Sequence, residues 1–470
     1  MGVTHILFFV IAAAAPLTAI VGAAPLAYSI GNGAGAPMGY VIAGLIYLLF
    51  SVGFTAMSRH VGSAGAFYAF VSKGLGSRWA LAAGAMTLLT YYAIQIAIYA
   101  FFGIVIAGLL EPLGLPLPWW AAALICVILV DLCGRRQIEF SGWILGICML
   151  CEIVVLMVLN LLILAQGGPE GISATSFLPS VGFSAGIGVS LLFAVASFLG
   201  FEATVIFAEE AKRPRRTIPM ATYLAVICIT LFYAFSAWCM VIAYGPSNIR
   251  DAATADSSDL FVNTAHALGG SLLSTTMSAL LVTSLFACIL SFHNTISRYL
   301  FAGGREAVLP KALAQVHPHF GSTHTANRVQ SLSVALIIGL CALFRIDPYA
   351  TVYSFMAALS ALGVLSVQIL VGISILRYFA RTPHDTTLWQ RVIAPVVALI
   401  GLIIVLLLAL SNLPMLTGAT NVAVILLLPA AVIGTGLMGW GYAVYLSRRD
   451  PARYDALGTS FLSIAGASHD

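Results

Sequence analysis

Twelve runs of about twenty apolar residues, joined by short polar connectors, fill nearly the whole chain. Their approximate bounds are 4–30, 38–57, 79–108, 119–134, 142–165, 184–208, 219–244, 272–302, 329–346, 351–378, 391–411 and 421–446. A helix rising 1.5 Å per residue needs ~20 such residues to cross the hydrocarbon of a bilayer. Barrel strands would alternate polar and apolar residues over shorter stretches, and these runs do not. Helices satisfy their own backbone in lipid, so the expected fold is an all-α membrane protein. Only 8% of the residues are charged and 61% are apolar. A soluble domain carries ~25% charged residues, so no water-facing surface can be built here. The net charge of +4 gives no reason to expect nucleic acid as a partner.

Lys and Arg fix an expected orientation. With the N-terminus in the cytoplasm and alternating spans, nineteen of the 21 basic residues fall on the cytoplasmic side, and only Arg250 and Arg345 fall outside. Both ends are then cytoplasmic, in a multi-pass protein of the cell membrane. The first run is too long for a signal-peptide core and has no basic residue before it, so it reads as a span. Cys148 and Cys151 form a CxxC inside an apolar run and read as packing residues. His317, His319 and His324 read as an ordinary loop, so no metal is expected. No cofactor motif occurs, HExxH is absent and the polar loops are short, so no enzyme is expected.

Two runs contain helix defects. Pro16 interrupts AAAAPLTAIVGAAPL, removing a helical hydrogen bond. Gly200 lies in FAVASFLGFEATVIFAEE, with Glu202 at membrane depth. Spans 1–5 and 6–10 would then be two halves, 4–165 and 184–378, each opening on a broken helix, with 391–446 adding two helices. Discontinuous helices at matching positions mark solute sites in many transporters. A simple kink at Pro16 and a close-packing spot at Gly200 would explain the same residues.

Three stretches carry a resemblance. One is Gly200-Phe201-Glu202 followed by Ala208-Glu209-Glu210-Ala211-Lys212-Arg213-Pro214-Arg215-Arg216-Thr217-Ile218-Pro219. The others are Gly65-Ala66-Phe67-Tyr68 leading to Gly74-Leu75-Gly76, and Ser297-Arg298-Tyr299-Leu300 through Gly304-Arg305-Glu306 to Leu309-Pro310-Lys311. Together they resemble the amino acid–polyamine–organocation (APC) superfamily of transporters. The resemblance implies a LeuT-type 5+5 inverted repeat with broken helices 1 and 6 plus two extra helices, and alternating access for amino acids or related amines. The chain departs from that pattern twice. Ala14-Ala15-Pro16-Leu17-Thr18 stands where the family usually has Gly-x-Gly, and Glu152 stands where several members carry a Lys on the fifth helix.

A zwitterion asks for backbone at such breaks. Freed amides at a half-helix N-terminus bind the carboxylate, and unwound carbonyls bind the ammonium. The expected binding residues are Ala15, Pro16, Leu17, Thr18 and Ala19 at the first break, and Ser197, Phe198, Leu199, Gly200 and Phe201 at the second. Phe198, Phe201, Tyr91, Tyr92 and Gln95 would shape the side-chain pocket. Glu152 and Glu202 are acids inside spans, where an ionised group costs ~2.5–3.5 kcal/mol on insertion scales. A carboxyl at that depth is poised to take up and release a proton. The expected function is proton-coupled uptake of a neutral amino acid, with Glu152 as the coupling acid and Glu202 as a gating acid. An amine or polyamine permease, or an exchanger of the same fold, is the alternative.

Overall fold

The computed structural model describes residues 2–61, 66–136, 142–206, 213–317, 322–381, 386–418, 421–455 and 457. Among these, helices account for nearly all regular structure and no strand occurs. The principal helices are α1 (Val3–Ala14), α2 (Pro16–Ser29), α3 (Ala36–Ser58), α4 (Ala66–Leu75), α5 (Ser77–Leu110), α6 (Trp119–Arg135), α7 (Gly142–Gln166) and α8 (Ile187–Ser197). They continue as α9 (Ala203–Ile206), α10 (Pro214–Tyr244), α11 (Ile249–Ala255), α12 (Leu260–Arg305), α13 (His324–Leu343), α14 (Ser354–Arg381), α15 (Ala394–Ser411) and α16 (Val422–Arg449). Nine of the described helices are long and apolar enough to cross a membrane: α3, α5, α7, α10, α12, α13, α14, α15 and α16. Two shorter apolar helices, α2 and α8, belong to the two runs that carry the defects.

The break in the first run falls at Ala15, one residue before the proline. Its φ of 44° and ψ of 70° are left-handed. A proline disfavours the helical region for the residue before it, while its own fixed φ suits the first position of a helix. Pro16 therefore ends α1 and begins α2 rather than kinking one helix. The second break runs from Phe198 to Glu202, between α8 and α9. Gly200 sits there at φ 107°, a conformation open to glycine and strained for other residues.

α5 runs through the middle of the bundle and packs on α4, α6, α12, α14 and α16. α3 lies along α10, and α2 lies along α8. Apolar side chains give little drive for helices to associate in lipid, so close backbone approach matters. Gly44 of α3 faces Thr230 of α10, and a Cβ at Gly44 would overlap the threonine side chain. The opposite faces carry exposed leucines and isoleucines such as Leu161, Leu336, Leu407 and Leu437. That surface matches a hydrocarbon solvent.

Two connectors bear on the first break. Arg250 on α11 donates from Nη1 to the Ser29 carbonyl at 3.2 Å and from Nη2 to the Gly31 carbonyl at 2.8 Å. A cation is thereby held at the C-terminal end of α2, where the helix dipole favours it. Ahead of α14, Asp347 accepts from the Tyr349 and Ala350 amides, at 3.0 and 2.6 Å, and starts a wide turn over Pro348–Tyr353. The Tyr349 hydroxyl then donates to the Gly22 carbonyl in the middle of α2 at 2.7 Å.

Candidate functional site

The two breaks share one cavity. Ala14, Ala15, Thr18 and Ala19 from the first meet Ala196, Ser197 and Leu199 from the second. Ile94 and Ile98 of α5, Cys288 and Phe292 of α12, and Tyr353 and Ala357 close the remaining sides. The space not occupied by protein atoms is about 460 Å³. No acidic or basic side chain lines it among the described residues. Small alanines near the breaks and larger residues opposite leave a pocket whose polar character comes from backbone, the hydroxyls of Thr18, Ser197 and Tyr353, and the Cys288 thiol.

Other expected site residues stand behind this lining. Leu17 is buried at the start of α2, and Pro16 beside it has no amide hydrogen to offer. Phe198 stacks on Tyr47 with ring centroids 5.0 Å apart and meets Tyr233 edge-on at 5.9 Å. Phe201 lies 4.9 Å from Tyr47 and 6.2 Å from Phe50. Both rings thus pack against α3, away from the cavity. Tyr92 accepts from Ser333 of α13 at 3.3 Å. Gln95 donates to the Ile289 carbonyl at 3.1 Å and accepts from Gln330. Ser331, next along α13, donates to Asp131 of α6 at 3.1 Å, and Asp131 pairs with Arg135. Gln95 is therefore part of a buried polar belt joining α5, α6, α12 and α13. His293 is fully buried beside it, close to Gly134.

The two acids sit at the two breaks. Glu202 accepts from the Gly200 amide at 3.0 Å through Oε2 and from the Tyr91 hydroxyl at 3.2 Å through Oε1. An amide freed by the break is satisfied by the acid two residues on. Glu152 of α7 accepts from the Ser284 hydroxyl of α12 at 2.9 Å, and Ser284 in turn accepts from the Thr18 hydroxyl at 2.9 Å. The Leu17 backbone N–H also reaches the Glu152 carboxyl. The first turn of α2 thus supplies an amide and a hydroxyl that lead to the same acid. At the other side of this break the Tyr233 hydroxyl donates to the Ala14 carbonyl, the last of α1, at 3.3 Å.

A family model described as amino acid permease matches residues 5–451. The chain belongs to the amino acid permease family. It is 26% identical to the aromatic amino acid transport protein AroP of Escherichia coli K12 over 354 residues, 73% of this chain and 72% of the relative. It is likewise 26% identical to the branched-chain amino acid permease BcaP of Lactococcus lactis over 379 residues, 75% and 76% of the two chains. Among solved structures, a manganese transporter of Eremococcus coleocola, crystallised with an aromatic bis-isothiourea compound, superposes over 95% of each chain. The TM-score is 0.56 at 14% identity, a likeness of fold. This permease is thus a multi-pass membrane protein, and the sequence resemblance to transporters of this superfamily holds along nearly all of it.

Ser284, Ile94, Ile98, Cys288, Phe292 and Tyr353 were not singled out by the sequence. Ser284 is one hydroxyl among several in SALLVTSLFACILSF, and only its position opposite Glu152 distinguishes it. The aliphatic lining residues carry no signal that separates them from core. All eight cysteines are free, with Cys148 half-buried and Cys151 exposed on α7. The His317 and His324 rings meet edge-on at 5.6 Å, and His319 lies outside the described residues.

Proposed function

We propose that this permease imports a neutral, apolar amino acid together with a proton, by alternating access around the two breaks. The observation that carries the reading is the hydrogen-bonded line from Thr18 through Ser284 to Glu152, with the Leu17 amide at the same acid. Amides and hydroxyls in the first turn of α2 suit a substrate carboxylate. Glu152 occupies part of that donor set. Protonation of Glu152 removes its claim on the Leu17 amide and leaves it for the incoming carboxylate. Release of the proton returns the amide to Glu152 and weakens the hold on substrate. Proton and amino acid thus compete for linked groups, which is a thermodynamic coupling.

The ammonium would lie toward the carbonyls around Ser197–Gly200, at the negative end of α8. An apolar lining without an acid favours an aliphatic or aromatic side chain over a cationic one. The aromatic and branched-chain specificities named for the two relatives are both of this kind. Nine long spans, together with α6 and the two runs made of α1–α2 and α8–α9, give twelve crossings. We read them as two five-helix repeats, 4–165 and 184–378, followed by two helices in 391–446, with both ends cytoplasmic.

The test uses the full chain in proteoliposomes with leucine and phenylalanine as first probes. Wild type should accumulate substrate when the outside is acidified. Glu152→Gln should keep exchange of labelled for unlabelled substrate while losing more than tenfold of the proton-driven accumulation. Accumulation that survives this substitution and still follows the pH gradient would remove Glu152 from the coupling step.

A further inference from the structure

α7 and α12 leave an open groove between them. It is lined by Cys151, Val155 and Val158 of α7 and by Leu272, Leu273 and Leu280 of α12, and holds about 1010 Å³. Its origin is local. Gly270 has φ 70° and ψ −170°, so the helical path of α12 is broken there. Leu272 is 80% exposed and Leu150, at the other end, 57%.

A groove of this kind cannot hold water, because its walls offer almost no hydrogen-bonding partners. Nor is it a docking surface of mixed character, since charged groups are missing from its lining. Its position decides the occupant. Both walls are spans, so the groove opens on hydrocarbon. From Leu150 to Leu162, the limits of its α7 wall, is twelve residues, or ~18 Å at 1.5 Å per residue. One leaflet of a bilayer core is ~15 Å deep. We propose that this groove is a binding site for one lipid acyl chain, drawn from the leaflet nearer Gly270, and that the chain acts as a wedge between α7 and α12.

The coupling line lies beside this groove on the same two helices. Glu152 follows Cys151, and Ser284 lies one turn beyond Leu280. The wedge therefore sets the spacing across which Ser284 reaches Glu152 at 2.9 Å. The lipid site itself is independent of the proton-coupling reading; its effect on transport rests on that reading.

Native mass spectrometry of the purified full chain, after brief exposure to phospholipid, tests the site. Wild type should retain one phospholipid that survives detergent washing. Thr276 of α12 also lines the groove, and Thr276→Trp, which fills it, should lose the lipid at least fivefold. Leu336→Trp, on an exposed face of α13 elsewhere, should not. Equal retention in wild type and Thr276→Trp, or no retained lipid in wild type, overturns the proposal. Exchange in liposomes then tests the wedge. Wild-type exchange should change more than threefold between short- and long-chain lipids, and that dependence should flatten in Thr276→Trp. A dependence unchanged in Thr276→Trp would reject the wedge, and Glu152→Gln measured alongside reports separately on the coupling.

Discussion

Ala15 holds the most demanding conformation at the candidate site. A non-glycine residue in the left-handed region costs ~1–3 kcal/mol and persists where its surroundings impose it. Here Pro16 disfavours the helical region for Ala15, and the Tyr233 hydroxyl binds the carbonyl before it. Ala15→Gly relieves the strain, so it should keep transport and leave the melting temperature of the purified protein unchanged or raised. Ala15→Val puts a β-branched side chain at positive φ and should lower folded yield and transport together. A fluorescence-based thermal melt with substrate exchange measures both. The proline and its predecessor Ala15 were legible in the sequence, but the left-handed dihedral was not, because a proline disfavours the helical region before it without choosing what replaces it. Glu202 was legible for a different reason: an acid inside a span must find donors, and it found Gly200 and Tyr91. Phe198 and Phe201 show the opposite case. Aromatic residues beside a break look like pocket walls in sequence, and only three-dimensional packing turns them toward Tyr47.

Among the elements, α11 packs on α2 and also binds its C-terminal end through the Arg250 side chain. Arg250 was one of two basic residues left outside by the charge count, and the structure gives it a task at the end of the half-helix. Arg250→Ala leaves the Ser29 and Gly31 carbonyls without this donor and loosens α2 against α11. We expect the outward-facing state to gain population, seen as faster labelling of a cysteine placed at Ala19 by an impermeant thiol reagent in an otherwise cysteine-free chain. A rate equal to that of the parent would show that the contact does not restrain α2. Arg250→Lys, with one compact charge in place of a fork, should restore only part of the restraint. The packing of α3 on α10 is the second case at this scale. Gly44→Leu should destabilise by about 1–3 kcal/mol through overpacking, seen as a lowered melting temperature and reduced folded yield. Helix positions were readable from hydropathy because length and composition alone decide what can cross lipid. The sequence pattern could not give helix neighbours, since leucine faces look alike whether they meet lipid or protein.

For the whole molecule, the apolar runs already required a multi-pass helical protein, and the family match agrees with that requirement. What hydropathy blurred was continuity. A broken helix and a continuous one have the same apolar composition, so α1–α2 and α8–α9 read as ordinary spans apart from Pro16, Gly200 and Glu202. The site was legible in the same measure. Its backbone parts were signalled by the defects, while the relay hydroxyl of Ser284 and the aliphatic walls became visible only once α5, α7 and α12 were assembled.

The polar belt of Gln95, Gln330, Ser331 and Asp131 has a mechanical consequence. It fastens α5, α6, α12 and α13 to one another through directional bonds in a medium where no water stands ready to replace them. The breaks, in contrast, leave α1, α2, α8 and α9 as short segments with their own pivots. In the proposed cycle the short segments are the rotor and the belted helices the stator, and the proton gradient turns one against the other.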